Sequence, residues 1–299
     1  MEHKKIGLAL GSGAARGWAH IGVINALEEL GIKIDIVAGC SAGSLVGAAY
    51  ACNKLPEFEE WVRSFGYWDV LKMLDLSWHR GGFLKGNRIF NKVSEILKIE
   101  NIEECHTKFS AVATNLSDGE EVWLAEGNIR QAIRASCSIP GLFSPVEVGD
   151  RWLVDGAVVN PLPVSLARSM GADRVIAVDL QHDVNFFGTD LITHQDGSPI
   201  ESESLQSKAL RTDIQQHIAR LVARRAAAPP STLEVMVTSI EVLERGLKNN
   251  MLINNPADII IQPCCPHISI LDFHRAKEAI VAGRLAVERV KGTLQQFLQ

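Results

Sequence analysis

The sequence predicts an α/β protein, a three-layer sandwich with a mostly parallel central sheet and a helical extension at its C-terminal end. Three observations carry this reading. Apolar runs alternate with helical periodicity from residue 4 to about 180, as strands and their covering helices do in an α/β domain. A G-x-S-x-G turn, Gly39 to Gly43, lies where a strand-like run meets a helix of small residues. After Gln181 the chain turns polar and irregular to about Ser207 and then helical, so 5–180 reads as one domain and 181–299 as a mainly helical extension packed on it.

Residues 5–10 form the first strand-like run. Over 17–30 a helix is predicted from Trp18, Ile21, Ile24, Ala26 and Leu27 at helical spacing, with Gly31 as its stop. The next strand falls at 34–38 and the small-residue helix at 44–52. A pair of helical segments over 56–74 carries Phe58, Trp61, Phe65, Tyr67 and Trp68, which read as core or lid packing rather than a ligand box. Arg80-Gly81-Gly82 breaks the pattern before a helix at 87–97. Strands then recur at 109–115, 121–125, 152–154 and 175–178, with helices near 129–135 and 163–170. In the extension, helices are predicted at 210–228, stopped by Pro229-Pro230, and at 232–247. A short strand at 258–262 precedes a last helix at 272–297 with Asp272 as its N-cap.

Thirty Lys and Arg against thirty-five Asp and Glu give a net charge of −5, so there is no basic footprint for nucleic acid. The six cysteines are scattered, without zinc or C-x-x-C redox spacing, and a reduced, cytoplasmic setting is expected. The N-terminal apolar run, Ile6 to Leu10, is too short for a signal-peptide core, which predicts no export. Residues 36–53 are uncharged and approach membrane-spanning length, but their glycines and serines favour a buried strand plus helix.

Chemistry concentrates in two places. The Gly39-x-Ser41-x-Gly43 turn would lift the Ser41 hydroxyl to a helix N-terminus, where partial positive charge favours an alkoxide or oxyanion; the plainer reading is an ordinary glycine-rich turn. Directly after the first strand, Gly11-Ser12-Gly13-Ala14-Ala15-Arg16-Gly17 can gather backbone N–H groups at one point. It matches neither nucleotide fingerprint, because Arg16 stands where the dinucleotide pattern needs its last glycine and no G-K-[ST] follows. An oxyanion hole on the same sheet edge as Ser41 is more coherent.

Ser41 needs a base. His182, His194, His217, His267 and His274 all follow it in sequence but sit in surface-like contexts, and His20 on the first helix reads as structural. Asp155, in Val154-Asp155-Gly156-Ala157, reads equally well as a hairpin turn and as a carboxylate able to take the Ser41 proton once desolvated.

These blocks together resemble the patatin-like phospholipase family. The glycine-rich loop with Arg16-Gly17, then Gly39-x-Ser41-x-Gly43, then Ala135-Ser136-x-x-x-Pro140, then Asp155-Gly156-Ala157, occur in that family's order over residues 6–170. The chain looks like bacterial members related to the neuropathy target esterase catalytic domain. The resemblance implies a modified α/β-hydrolase fold and a lipid acyl hydrolase of (lyso)phospholipase type. It further implies a Ser41–Asp155 dyad working through an acyl-enzyme, with amides of Gly11, Ser12, Gly13 and Ala14 as oxyanion hole. No metal and no cofactor are expected. The partner is an acyl-lipid or ester substrate, with peripheral contact at the inner membrane surface allowed; the sequence does not specify an oligomeric state. Arg16 is read as bracing the loop in preference to pairing with a substrate phosphate. Where the family commonly has three glycines, this chain has Ser12, Gly13 and Ala14. That departure, with the helical tail after Gln181, leaves room for a patatin-fold regulatory protein with weak turnover, and the acyl-enzyme itself leaves room for a lipid transacylase, in which another hydroxyl takes the place of water.

Overall fold

The computed structural model describes residues 4–67, 86–181 and 232–298. The chain divides into two compact units, Met1–Asp183 with Ser239–Gln299, and Val184–Thr238; of the second only 232–238 is described. In chain order the strands are β1 (Ile6–Leu10), β2 (Ile36–Cys40), β3 (Lys108–Asn115), β4 (Glu121–Leu124), β5 (Val146–Val148), β6 (Arg151–Asp155), β7 (Arg174–Val178) and β8 (Ile259–Ile261). The helices are α1 (Ala19–Glu29), α2 (Ala42–Ala51), α3 (Leu55–Arg63), α4 (Asn87–Leu97), α5 (Ile129–Ser136), α6 (Val164–Ser169), α7 (Thr232–Asn254), α8 (Ala276–Arg289) and α9 (Lys291–Leu298).

All eight strands belong to one sheet, whose hydrogen-bonded neighbours run β5-β6-β3-β2-β1-β7-β8, with β4 also on β3. The five strands β3, β2, β1, β7 and β8 pair in parallel, while β4, β5 and β6 join antiparallel. Side-chain alternation assigns the two faces. Leu8, Leu10, Val37, Ile176 and Val178 pack under Ile21, Ile24, Val46 and Ile280 of α1, α2 and α8. Ala9, Ile36, Ala38, Val175 and Ala177 point the other way, against Leu166 and Ala167 of α6 and Leu252 of α7. The central strands are therefore buried on both faces, which is why they read as continuous apolar runs. This is the three-layer, mostly parallel α/β sandwich expected.

Several boundaries differ. The first helix enters through a 3-10 turn, Ala14–Trp18. β5 has only three residues and leaves too little pattern to detect in sequence. α3 ends at Arg63, and the rest of the predicted 56–74 pair lies outside the described residues beyond Tyr67. The Arg80-Gly81-Gly82 break and the predicted 210–228 helix lie outside them too. α7 continues past 247 to Asn254 because no breaker arrives until Pro256. The last predicted helix is split into a 3-10 turn (Phe273–Arg275), α8 and α9. Asp272 does not cap it: its carboxylate accepts from Ser269 N at 3.0 Å. Among the described residues no helix is long and apolar enough to cross a membrane.

Candidate active site

The third strand brings two distant residues together. β2 pairs with β3 as far as Cys40 opposite Val112, and the next β3 residue, Ala113, pairs with Asp155 of β6. Since β4 takes the other edge of β3 along both stretches, β6 lies end to end with β2. The chain leaving β2 at Ser41 thus meets the last residue of β6. Ser41 Oγ donates to Asp155 Oδ2 at 2.6 Å, and both side chains are buried.

Ser41 holds φ 53° and ψ −124°, a conformation an L residue adopts only under constraint, at a cost of about 1–3 kcal/mol. The surroundings fix it. Gly43 passes so close to β1 that a Cβ there would lie 2.2 Å from the Leu10 carbonyl oxygen. Gly17, Gly39 and Gly156 are likewise pressed against Ala42, Ser44 and Val112. Ser41 N donates to Ser136 Oγ at 3.0 Å, Ser44 Oγ donates to Ser41 O at 2.7 Å, and Asp155 N donates to Ser138 O at 3.0 Å. The Ala135-Ser136-x-x-x-Pro140 segment, which in sequence says only that a tight loop follows a helix, therefore holds the backbones of both 41 and 155.

Asp155 is not at the tip of a hairpin. Its Oδ1 accepts from Ala157 N at 2.9 Å, capping a 3-10 turn, while Thr114 Oγ1 donates to its carbonyl at 2.8 Å. Burial pushes its carboxyl up to about 7 against the opposing hydrogen bonds from Ser41 and Ala157. His20 is fully enclosed, with Nε2 2.8 Å from Gly11 O, and burial lowers it to about 4, so it stays neutral at physiological pH and supports the loop. His267 faces Glu278 at the surface and His274 stacks edge-on with Tyr67. His182, His194 and His217 lie outside the described residues.

Of the four loop amides, two are committed elsewhere: Gly11 N donates to Val178 O at 3.1 Å and Ser12 N to Pro161 O at 2.9 Å. This narrows the expected oxyanion donors to Gly13 and Ala14, whose amides have no backbone acceptor among the described residues. Arg16 is buried and pairs with Glu241 of α7, the bracing arrangement.

A pocket opens at Ser41. Trp18, Ala42, Leu45, Trp61, Phe65, Ile89, Phe90, Ile139, Phe143 and Phe273 line it together with Ala14 and Cys137. Arg134 backs its wall, with the guanidinium carbon 5.3 Å and 5.4 Å from the Phe90 and Phe143 ring centroids. The sequence reading gave the 58–68 aromatics to core or lid packing: Phe58 is core, and Trp61 and Phe65 pack against it and also line this pocket. That reading missed Glu241, Glu244 and Lys248, although their spacing of three and four residues on one helix marks a polar stripe. Among the described residues no cluster of His, Cys, Asp and Glu could hold a metal ion.

A buried serine at a strained strand-to-helix turn thus stands beside a carboxylate and an apolar pocket, the parts that acyl transfer requires. Residues 8–168 match the patatin-like phospholipase family model, and the chain belongs to that family, whose members are lipid ester hydrolases. It is 33% identical over 327 residues to an NTE family protein of Mycobacterium tuberculosis, covering 94% of this chain and 89% of that one. It is 34% identical over 199 residues to patatin-like phospholipase domain-containing protein 6 of Homo sapiens, covering 64% of this chain and 14% of that one. Lysophospholipase NTE1 of Saccharomyces cerevisiae is 34% identical over 188 residues, with 60% and 11% covered. Among solved structures, VipD from Legionella pneumophila aligns with a TM-score of 0.47 at 16% identity, over 98% of this chain and 67% of that one.

Proposed function

We propose that this chain hydrolyses acyl esters of (lyso)phospholipid type through an acyl-enzyme on Ser41, with Asp155 as the single general base and no third member. The observation that carries this is the 2.6 Å contact between Ser41 Oγ and Asp155 Oδ2 at the mouth of an apolar pocket. An acyl chain lying among Leu45, Phe90 and Phe143 would bring its carbonyl carbon to Oγ. As Oγ bonds to that carbon, its proton passes to Asp155 Oδ2, and the carbonyl oxygen takes the charge and meets the Gly13 and Ala14 amides. The bond to the leaving oxygen then breaks and Asp155 returns the proton to it. Water repeats the sequence: Asp155 removes its proton, the oxygen attacks the acyl carbon, and Ser41 leaves as a hydroxyl carrying that proton. The relative named as a lysophospholipase supports the (lyso)phospholipid class of substrate. We place the protein in the cytoplasm, touching the inner membrane surface to collect substrate.

A fluorophosphonate probe should label the wild type and not Ser41→Ala, while Asp155→Asn lowers turnover of a short-chain ester by on the order of 10²–10⁴. Undiminished labelling of Ser41→Ala would overturn the assignment. Release of free fatty acid, as opposed to transfer of the acyl group to an added alcohol, separates hydrolysis from transacylation.

A further inference from the structure

The glycine-rich turn is tied to a helix from the far end of the chain. Ser12 Oγ donates to Glu244 Oε2 of α7 at 3.1 Å and accepts from Gln181 Nε2 at 2.9 Å, and Gln181 Nε2 also reaches Glu244. One turn earlier in α7, Glu241 holds Arg16; one turn later, Lys248 Nζ donates to both carboxylate oxygens of Asp179 at 2.8 Å. The Gly13-Ala14 peptides are thus suspended between two anchored side chains, Ser12 and Arg16. Ala14 itself sits at φ 47°, a left-handed conformation that a tether must maintain.

We propose that Glu244 is a positioning residue for acyl transfer, holding the turn through the Ser12 hydroxyl so that the Gly13 and Ala14 N–H groups meet the oxyanion. This rests on the Ser41–Asp155 reading above. It also gives Ser12 a purpose: the side chain that departs from the family's glycine is the handle by which α7 grips the loop.

Charge sharpens the inference. Burial, and next the nearby Asp155 carboxylate, push Glu244 up to about 8, with Glu241 adding to the effect and the Ser12 and Gln181 hydrogen bonds opposing it. The neighbouring cations are already engaged, Arg16 by Glu241 and Lys248 by Asp179. Ionising Glu244 puts negative charge beside the turn where the oxyanion charge develops, and turnover falls.

The test is a set of kcat and KM profiles against pH on a soluble short-chain ester for wild type, Ser12→Gly, Glu244→Gln, Glu244→Ala and the Ser12→Gly/Glu244→Ala pair. Ser12→Gly and Glu244→Ala should each lower kcat by about tenfold with KM changed less than about twofold, and the pair should lose no more than either alone. The wild-type profile should decline above about pH 8 and the Glu244→Gln profile should not. Additive losses, losses carried by KM, or a Glu244→Gln profile superimposable on wild type would each overturn the proposal. If Glu244→Ala does not fold, Ser12→Gly and Glu244→Gln carry the test alone. Hydrolysis that survives Ser41→Ala would instead overturn the dyad reading, so the two failures are distinguishable.

Discussion

Asp155 gives up its proton at about 7 in the folded chain and near 3.8 when exposed, and two measurable effects follow from that one shift. With Asp155 as the proposed general base, the carboxylate is the active form, so kcat/KM should rise with pH through a single acid limb near 7. Stability moves the opposite way. A carboxyl raised in the folded state contributes fully below its unfolded value, and that contribution is lost as pH climbs through about 7. Asp155→Asn, inactive, should therefore show a higher Tm than wild type at pH 8, with the gap closing as pH falls toward 4; an unchanged gap by thermal denaturation would refute the linkage. Of this pair, Ser41 is legible from five consecutive residues, because the elbow's glycines, strand and helix are all local. Asp155 is not. Its own neighbourhood reads as a hairpin turn as well as a proton-accepting carboxylate, so only the family resemblance singles it out in sequence, and its pairing across β3 shows where the turn reading fails.

At the scale of elements, α1 and α8 cross with backbones in contact. A Cβ on Gly22 would come 1.9 Å from Ile280 O, and one on Gly283 would come 2.0 Å from Ala19 O. Gly283→Ala must push the helices apart and should cost about 1–3 kcal/mol, read as a lower midpoint in urea with an unchanged slope. Since α1 carries His20, which steadies Gly11, some activity should go with it. The helices and parallel strands around this crossing were legible because each carries its own periodicity. The grip of α7 on the loop was not, because Arg16 and Glu241 are 225 residues apart and each alone looks like solvated surface charge. The split of the last helix was also hidden: Asp272 has an N-cap's identity, yet its carboxylate is spent on the preceding turn.

Over the whole molecule, the pocket has no single sequence signature, since it draws on the glycine-rich turn, α2, α3, α4, the loop after α5 and the turn before α8. Its apolar wall is where chain length should be chosen. Phe143→Trp should lower kcat/KM for long-chain esters by roughly tenfold, about 1.4 kcal/mol, and leave the shortest esters nearly unaffected; equal losses for both would remove the pocket from acyl recognition. The largest consequence belongs to β3. Because the separation of Ser41 and Asp155 is measured along that strand, from Val112 to Ala113, and not by their offset of 114 in sequence, β3 serves as the ruler of the proposed dyad. Intervening loops that do not touch the site can change length without moving the pair, whereas one residue gained or lost within β3 would turn the acid to the opposite side of the sheet.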